Sequence, residues 1–122
     1  MSSFVLNITF DSADPQAQAA FWAAVTGHLA SDGSQPGNPF WLVAPPDEED
    51  GVRLAFVPAG GSKHGKNRLH VDMVPGDRSQ AAELDRLIGL GASVVDDRRG
   101  LEGGGWVVLA DPEGNEFCLE GN

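Results

Sequence analysis

Two side chains that could do acid–base chemistry fall in Leu69-His70-Val71-Asp72, and the one cysteine, Cys118, falls in Asp111-Pro112-Glu113-Gly114-Asn115-Glu116-Phe117-Cys118. On an extended strand His70 and Asp72 project from one face, opposite Leu69, Val71 and Met73, and lie about 7 Å apart. A direct hydrogen bond at that distance needs a bridging water, yet the carboxylate favours the imidazolium. Imidazole exchanges its proton near neutral pH, so His70 is the candidate catalytic residue, a base able to enolise or isomerise a carbonyl compound. Such a reaction on a neutral carbonyl without a metal needs an oxyanion stabiliser, and none can be named from the residues. Cys118 reads by default as a small apolar filler, with nothing beside it to activate a thiolate. Trp41 and Trp106 supply rings suited either to a core or to the wall of a ligand site. His28 follows a helix stop and His64 stands beside Lys63 and Lys66, so both read as solvated.

The stretch carrying Cys118 also organises the chain. Asp-Pro followed by Gly-Asn is turn chemistry, because Pro fixes φ, Gly and Asn tolerate positive φ, and Asp bonds the backbone two residues on. The flanking runs, Trp106 to Ala110 and Glu116 to Glu120, are β-prone, and a hairpin is expected. Alternation in the second run puts Phe117 and Leu119 on one face and Glu116, Cys118 and Glu120 on the other.

Earlier elements follow from the same kind of reading. Phe4 to Phe10 alternates as a strand. Asp14-Pro15 starts a helix whose apolar stripe is Ala17, Ala20, Phe21, Ala24 and Val25, and Gly27 stops it. Trp22 falls beside the stripe, either folded onto the sheet or set against a second chain. Residues 30–39 read as loop, Phe40 to Ala44 and Val52 to Val57 as strands, and Pro45 to Gly51 as an acidic turn. A linker at 58–67 separates two modules. Arg68 to Val74 is then a strand, and Asp77 to Leu90 a helix with Asp77 as N-cap and Ala81, Leu84, Leu87 and Ile88 as its stripe. Ser93 to Asp97 is a short strand, and Arg98 to Gly105 a glycine-rich loop; its Gly103-Gly104-Gly105 has no following helix with which to cradle a phosphate.

A chain of 122 residues that is 41% hydrophobic fits one globular domain with a real core. Eighteen acidic against eight basic residues give a net charge of −10, which repels nucleic acid and anionic membrane and excludes both as expected partners. No apolar run approaches the length of a membrane span, the start lacks the pattern of a signal peptide, and a single cysteine suits a reducing compartment, so a cytoplasmic location is expected.

The two halves repeat. A shift of 63 residues lays Asn7 on His70, Asp14 on Asp77, Phe21 on Leu84, Leu54 on Phe117 and Phe56 on Leu119. Both halves read strand, helix, then up to three strands, as modules of residues 1–60 and 65–122 within one domain. The fold class is therefore α+β, two βαβββ modules forming a curled mixed sheet, a half-barrel with the helices outside and a central cleft.

This paired pattern, with Asp-Pro…Phe-Trp…Gly at 14–27, Leu-His-Val-Asp at 69–72 and Asp-Pro-Glu-Gly-Asn-Glu-Phe-Cys at 111–118, resembles the vicinal oxygen chelate superfamily, and within it the glyoxalase-like and bleomycin-resistance-like proteins. The fold hosts lyases, isomerases, dioxygenases, thiol transferases and non-catalytic binders. Members that use a metal hold it with four inward residues, and the resemblance carries those positions to Asn7, Ala55, His70 and Cys118. Ala55 cannot ligate and Asn7 offers only an amide oxygen, which leaves two donors where three are usual. The resemblance and the residues together imply a protein that binds a small organic ligand in the inter-module cleft, through Asn7, Trp41, Ala55, His70, Asp72, Trp106 and Cys118, with no resident metal or other cofactor. The competing expectation is a lyase, isomerase or dioxygenase using His70 as base or as metal ligand. A homodimer is expected, since relatives often pair modules between chains and an exposed Trp22 would want cover.

Overall fold

The computed structural model describes residues 2–47, 50–61, 63–100 and 105–121, so Glu48 and Glu49 of the acidic turn and Leu101 to Gly104 of the glycine-rich loop lie outside the described residues. Two compact units, Met1–Ser62 and Lys63–Asn122, divide the chain close to the expected linker. The first contains β1 (Asn7–Ser12), α1 (Pro15–Thr26), β2 (Leu29–Asp32), β3 (Trp41–Ala44) and β4 (Arg53–Pro58). The second contains β5 (Asp72–Met73), α2 (Gln80–Leu90), β6 (Ser93–Asp97), β7 (Trp106–Ala110) and β8 (Glu116–Glu120). Their sheets have the same order, β1-β4-β3-β2 and β5-β8-β7-β6. In each, the first strand pairs in parallel with the last, and the other pairs are antiparallel. The repeat is thus a repeat of topology, and the fold is the expected α+β pair of βαβββ modules.

Local chemistry sets the helix ends. Asp14 accepts from Ala17 N at 3.2 Å, Pro15 opens α1, and Gly27 closes it at φ 74°, in the left-handed region that glycine enters without cost. In α2 the cap is Ser79, whose hydroxyl accepts from Ala82 N at 3.1 Å. Asp77, the expected cap, is turned instead toward the Arg78 guanidinium at 3.1 Å. The buried face of α1 is Gln18, Ala19, Phe21, Trp22 and Val25; Phe21 and Val25 of the expected stripe are on it, while Ala17, Ala20 and Ala24 are exposed and the face is rotated toward Trp22. Area explains the rotation: Phe21 and Trp22 bury several times what an alanine can, so they decide which face turns inward. Trp22 is 1% exposed, with Phe10 at 5.9 Å and Phe21 at 5.4 Å between ring centroids. It lies against β1 and needs no second chain to cover it. In α2 the stripe holds at Leu84 and Leu87, while Ile88 is exposed and Glu83 is buried. The Arg86 guanidinium, at 2.7 and 2.8 Å, compensates that carboxylate and holds it below its ordinary pKa.

Two strands are shorter than their alternation suggested. Phe4, Val5 and Leu6 are exposed, because β1 meets its partner β4 only from Asn7, opposite Arg53. Residues 68–71 lie outside β5. Parallel pairing sets Asp72 opposite Cys118, so Arg68 and Leu69 run alongside the Asp111–Asn115 turn, where no strand offers a ladder, and β5 begins two residues later than β8 would allow. The 30–39 segment contains β2 and a bridge between Gln35 and Asn38. Among the described residues no helix is long and apolar enough to cross a membrane.

The capping geometry yields a paired prediction. Ser79→Ala should lower stability by about 1 kcal/mol, the usual cost of a lost N-cap. Asp77→Ala, which removes only an exposed ion pair, should stay within about 0.5 kcal/mol of wild type in urea unfolding. The reverse ranking would return the cap to Asp77.

Candidate functional site

The site begins at the β7–β8 turn. Asp111, 3% exposed, accepts through Oδ1 from the backbone N–H groups of Glu113 and Asn115, both at 2.9 Å, and through Oδ2 from the Asn115 amide at 2.9 Å. Gly114 completes the turn at φ 88°. With the turn length fixed, the register is fixed too: Trp106 stands opposite Glu120, Val108 opposite Cys118 and Ala110 opposite Glu116. Across the other edge of β8, Cys118 stands opposite Asp72, and on the far side of β7, Val108 stands opposite Asp96. Because directly opposed residues share a sheet face, Asp72, Cys118, Val108 and Asp96 form one row on the face that also carries Trp106 and Glu120.

That row lines a pocket of about 520 Å³. Val95, Val108 and the ring of Trp106, 41% exposed, give it an apolar wall, and His70, Asp72, Lys66, Asp96, Glu116 and Glu120 give it a polar rim. His70 Nδ1 lies 3.2 Å from Asp72 Oδ1, a direct contact in place of the water-bridged separation expected from strand spacing. The correction follows from the short β5: His70 precedes the strand, so pleat geometry does not hold the two side chains apart. Both side chains are accessible, at 43% for His70 and 53% for Asp72, while Cys118 beside them is buried at 8%. Burial pushes the Cys118 thiol up, and the charges of Asp72 and Glu120 and a hydrogen bond to Asp72 add to the effect against Lys66. It is therefore a poor nucleophile. Two of the carboxylates are already paired, Glu116 with Lys63 at 3.1 Å and Asp96 with Arg98 at 2.5 Å.

Of the residues expected at a site, the structure brings together His70, Asp72, Trp106 and Cys118. Every residue lining this pocket comes from the second module. Asn7, Trp41 and Ala55 belong to the first module, where Asn7 Oδ1 accepts from Arg53 Nε at 2.8 Å and Ala55 is 3% exposed. Register sets Trp41 opposite Phe56, and Leu42 opposite Ala55, so Trp41 is on the other sheet face from Ala55. Lys66, Val95, Asp96 and Val108 are lining residues that no motif signalled, while Glu116 and Glu120 had been placed on the face of Cys118 by alternation without being named as site residues. Pairing β7 and β8 about the Asp-Pro-Glu-Gly-Asn turn would have found Val108, Glu116 and Glu120 beside Cys118. Lys66 and Val95 lie in segments whose placement is tertiary.

Two stacked features now define the class: a twice-repeated βαβββ module, and a polar and aromatic pocket on the face of one four-stranded sheet. Residues 7–120 match the family profile described as a glyoxalase-like domain, and the chain belongs to that family. No curated protein is similar enough in sequence to count as a match. Solved structures agree in fold. A glyoxalase/bleomycin resistance protein/dioxygenase superfamily member from Sphaerobacter thermophilus is 18% identical at TM-score 0.70, covering 98% of this chain and 97% of its own. The fosfomycin resistance protein FosX from Mesorhizobium loti is 17% identical at TM-score 0.69, with coverages of 98% and 92%. The FosX of Listeria monocytogenes, in complex with Mn(II) and 1S,2S-dihydroxypropylphosphonic acid, is 15% identical at TM-score 0.70, with coverages of 98% and 90%.

The four positions that the superfamily resemblance assigns to a metal do not fit one here. Ala55 has no donor atom, and the amide oxygen of Asn7 is engaged by Arg53. Within the second module the donor count differs from the sequence expectation, because Asp72 joins His70 and Cys118: one ligand atom from each lies within 4.8 Å of the others.

Proposed function

We propose that this glyoxalase-like protein binds a small neutral or cationic organic molecule in the pocket of its second module. The observation that carries the reading is the combination, on one sheet face, of the exposed Trp106 ring and two valines with the hydrogen-bonding pair His70 and Asp72. An apolar wall with a few placed polar groups is the usual composition of a small-molecule site. The charge of the ligand follows from the rim, where Asp72 and Glu120 stand against Lys66, with Asp96 and Glu116 paired to Arg98 and Lys63. A phosphonate such as the one bound by the Listeria protein would face net repulsion, whereas an ammonium group would gain from the carboxylates and from the face of Trp106.

Enzymatic activity of lyase or isomerase type is the second reading, and the direct His70–Asp72 contact favours it. With Nδ1 donating to the carboxylate, Nε2 is left as the proton acceptor and the ring is held in one orientation.

Three matched probes test the binding reading: benzylamine, benzyl alcohol and benzylphosphonate, titrated while tryptophan emission is followed. The amine should bind most tightly, with a Kd near the millimolar range expected of fragments, and the phosphonate at least about tenfold more weakly. The signal should disappear in Trp106→Ala. Tighter binding of the phosphonate would contradict the assignment.

The same reading includes a homodimer. Its support is the exposure of every residue of β2 and of Phe4, Val5 and Leu6, apolar and strand-edge surface that association would cover. Light scattering at micromolar concentration should give twice the 12.8 kDa chain mass, and a mass of one chain would remove the dimer from the account.

A further inference from the structure

We propose that Glu120 and Trp106 together form the seat for a cationic head group in the pocket, and that Gln80, which lies outside the pocket, is the positioning residue that holds this pair. The assignment rests on the pocket's binding an organic molecule, and it names the residue that selects for charge.

Ion pairing singles out Glu120. Four carboxylates line the pocket, and three are engaged: Asp72 by His70 Nδ1 at 3.2 Å, Glu116 by Lys63 at 3.1 Å and Asp96 by Arg98 at 2.5 Å. Glu120 makes no ion pair among the described residues. It is half-buried, so its charge is screened less than that of a fully exposed carboxylate.

Register sets Glu120 directly opposite Trp106, which is 41% exposed. Residues opposed across an antiparallel pair have Cβ atoms about 4.5–5.5 Å apart on one face, so the carboxylate stands alongside the indole. An ammonium group lodged there meets the ring and the carboxylate at once, whereas a neutral isostere gains only from the ring. Lys66, elsewhere on the rim, opposes the cation and limits the preference.

Gln80 accounts for the fixed placing of the pair. The β7–β8 hairpin is closed at the Asp111 turn and open at its other end, where Trp106 is the first residue of β7 and Glu120 the last of β8. Strand ends of this kind fray unless they are tied. Here the Gln80 side-chain amide donates to Gly105 O at 3.1 Å and to Leu119 O at 3.2 Å, the carbonyls immediately before Trp106 and Glu120. One nitrogen thus uses both of its hydrogens, one on each strand. On the β6 side Arg98 N donates to Trp106 O at 2.8 Å, so the chain at Trp106 is held from both directions. Gln80 is the first residue of α2 and is not among the lining residues, so it acts on a ligand only through the pair.

The test uses the full chain and compares benzylamine with benzyl alcohol. Glu120→Gln should weaken the amine about fivefold and leave the alcohol within about twofold, the size expected of one partly screened ion pair. Asp85→Asn makes the same change in net charge at an exposed position of α2 and should leave both affinities as in wild type. Equal weakening of the amine by these two variants would assign the preference to the overall field and overturn the seat. Gln80→Glu keeps the side-chain shape and suits a helix N-terminus, yet has no hydrogen to donate. It should lower the amine-to-alcohol preference by about threefold while circular dichroism stays that of wild type. Gln80→Met, of similar length and uncharged, gives the same reading if the glutamate variant misfolds. Equal losses for both probes, or an unchanged preference, in the Gln80 variants would overturn the positioning role. Binding of benzylamine by wild type with a preference that Glu120→Gln leaves intact overturns the seat alone, whereas no binding of either probe by wild type removes the pocket reading and the seat together.

Discussion

A single buried carboxylate sets the arrangement of the second module. Asp111 takes three hydrogen bonds from Glu113 and Asn115, and this closes the β7–β8 turn at one length. Turn length decides strand register, and a slip of one residue would move every side chain of β8 to the opposite face. Cys118 would then enter the core beside Val107 and Leu109, both fully buried, and Phe117 and Leu119 would enter the pocket. The contact between Asp72 and Cys118 across β8, and the placing of Trp106 beside them, therefore depend on a turn with no part in the chemistry. A substitution at Asp111 would leave the part-buried donors of Glu113 and Asn115 without this acceptor, at a cost of about 1 kcal/mol, and would loosen the site with the fold.

The two modules show how one topology supports different faces. At the position that His70 occupies in the second, the first has Asn7, tied to Arg53 on the neighbouring strand. At the position of Cys118 it has Ala55, which is buried and without a polar atom. The core-forming pairs are conserved in kind, with Leu54 and Phe56 answering Phe117 and Leu119. Folding constrains the helix-covered face of each sheet and leaves the other face to carry donors, as in the second module, or a structural hydrogen bond, as in the first.

Much of this was legible in the chain because it rests on local rules. The hairpin, the Asp14-Pro15 helix start and the glycine stops each follow from residues within a few positions of one another, and the repeat follows from the same local signals recurring 63 residues on. Where the reading failed, the deciding term was not local. The cap of α2 is Ser79, which an adjacent aspartate obscured. In α1 the stripe held at Phe21 and Val25, but its alanines gave way to the larger area of Trp22, a competition that spacing cannot rank. At the site, alternation put Glu116, Cys118 and Glu120 on one face, and the motif set His70 and Asp72 near them. The direct contact of His70 with Asp72 was not visible, because it depends on β5 beginning only at Asp72, which leaves His70 outside the pleat. Val95 and Asp96 enter the pocket through a shift in the β6–β7 register between Val94 and Asp96, an irregularity without a sequence signature.

The central claim is that the functional surface is the sheet face of the second module, built on β5, β7 and β8. Backbone amide spectra of the isotopically labelled full chain, recorded as benzylamine is added, test it most directly. The account predicts that the shifted resonances cluster at Asp72, Trp106, Val108 and Cys118 and at their ladder neighbours. Shifts centred instead on β1 and β4, around Asn7 and Ala55, would contradict it.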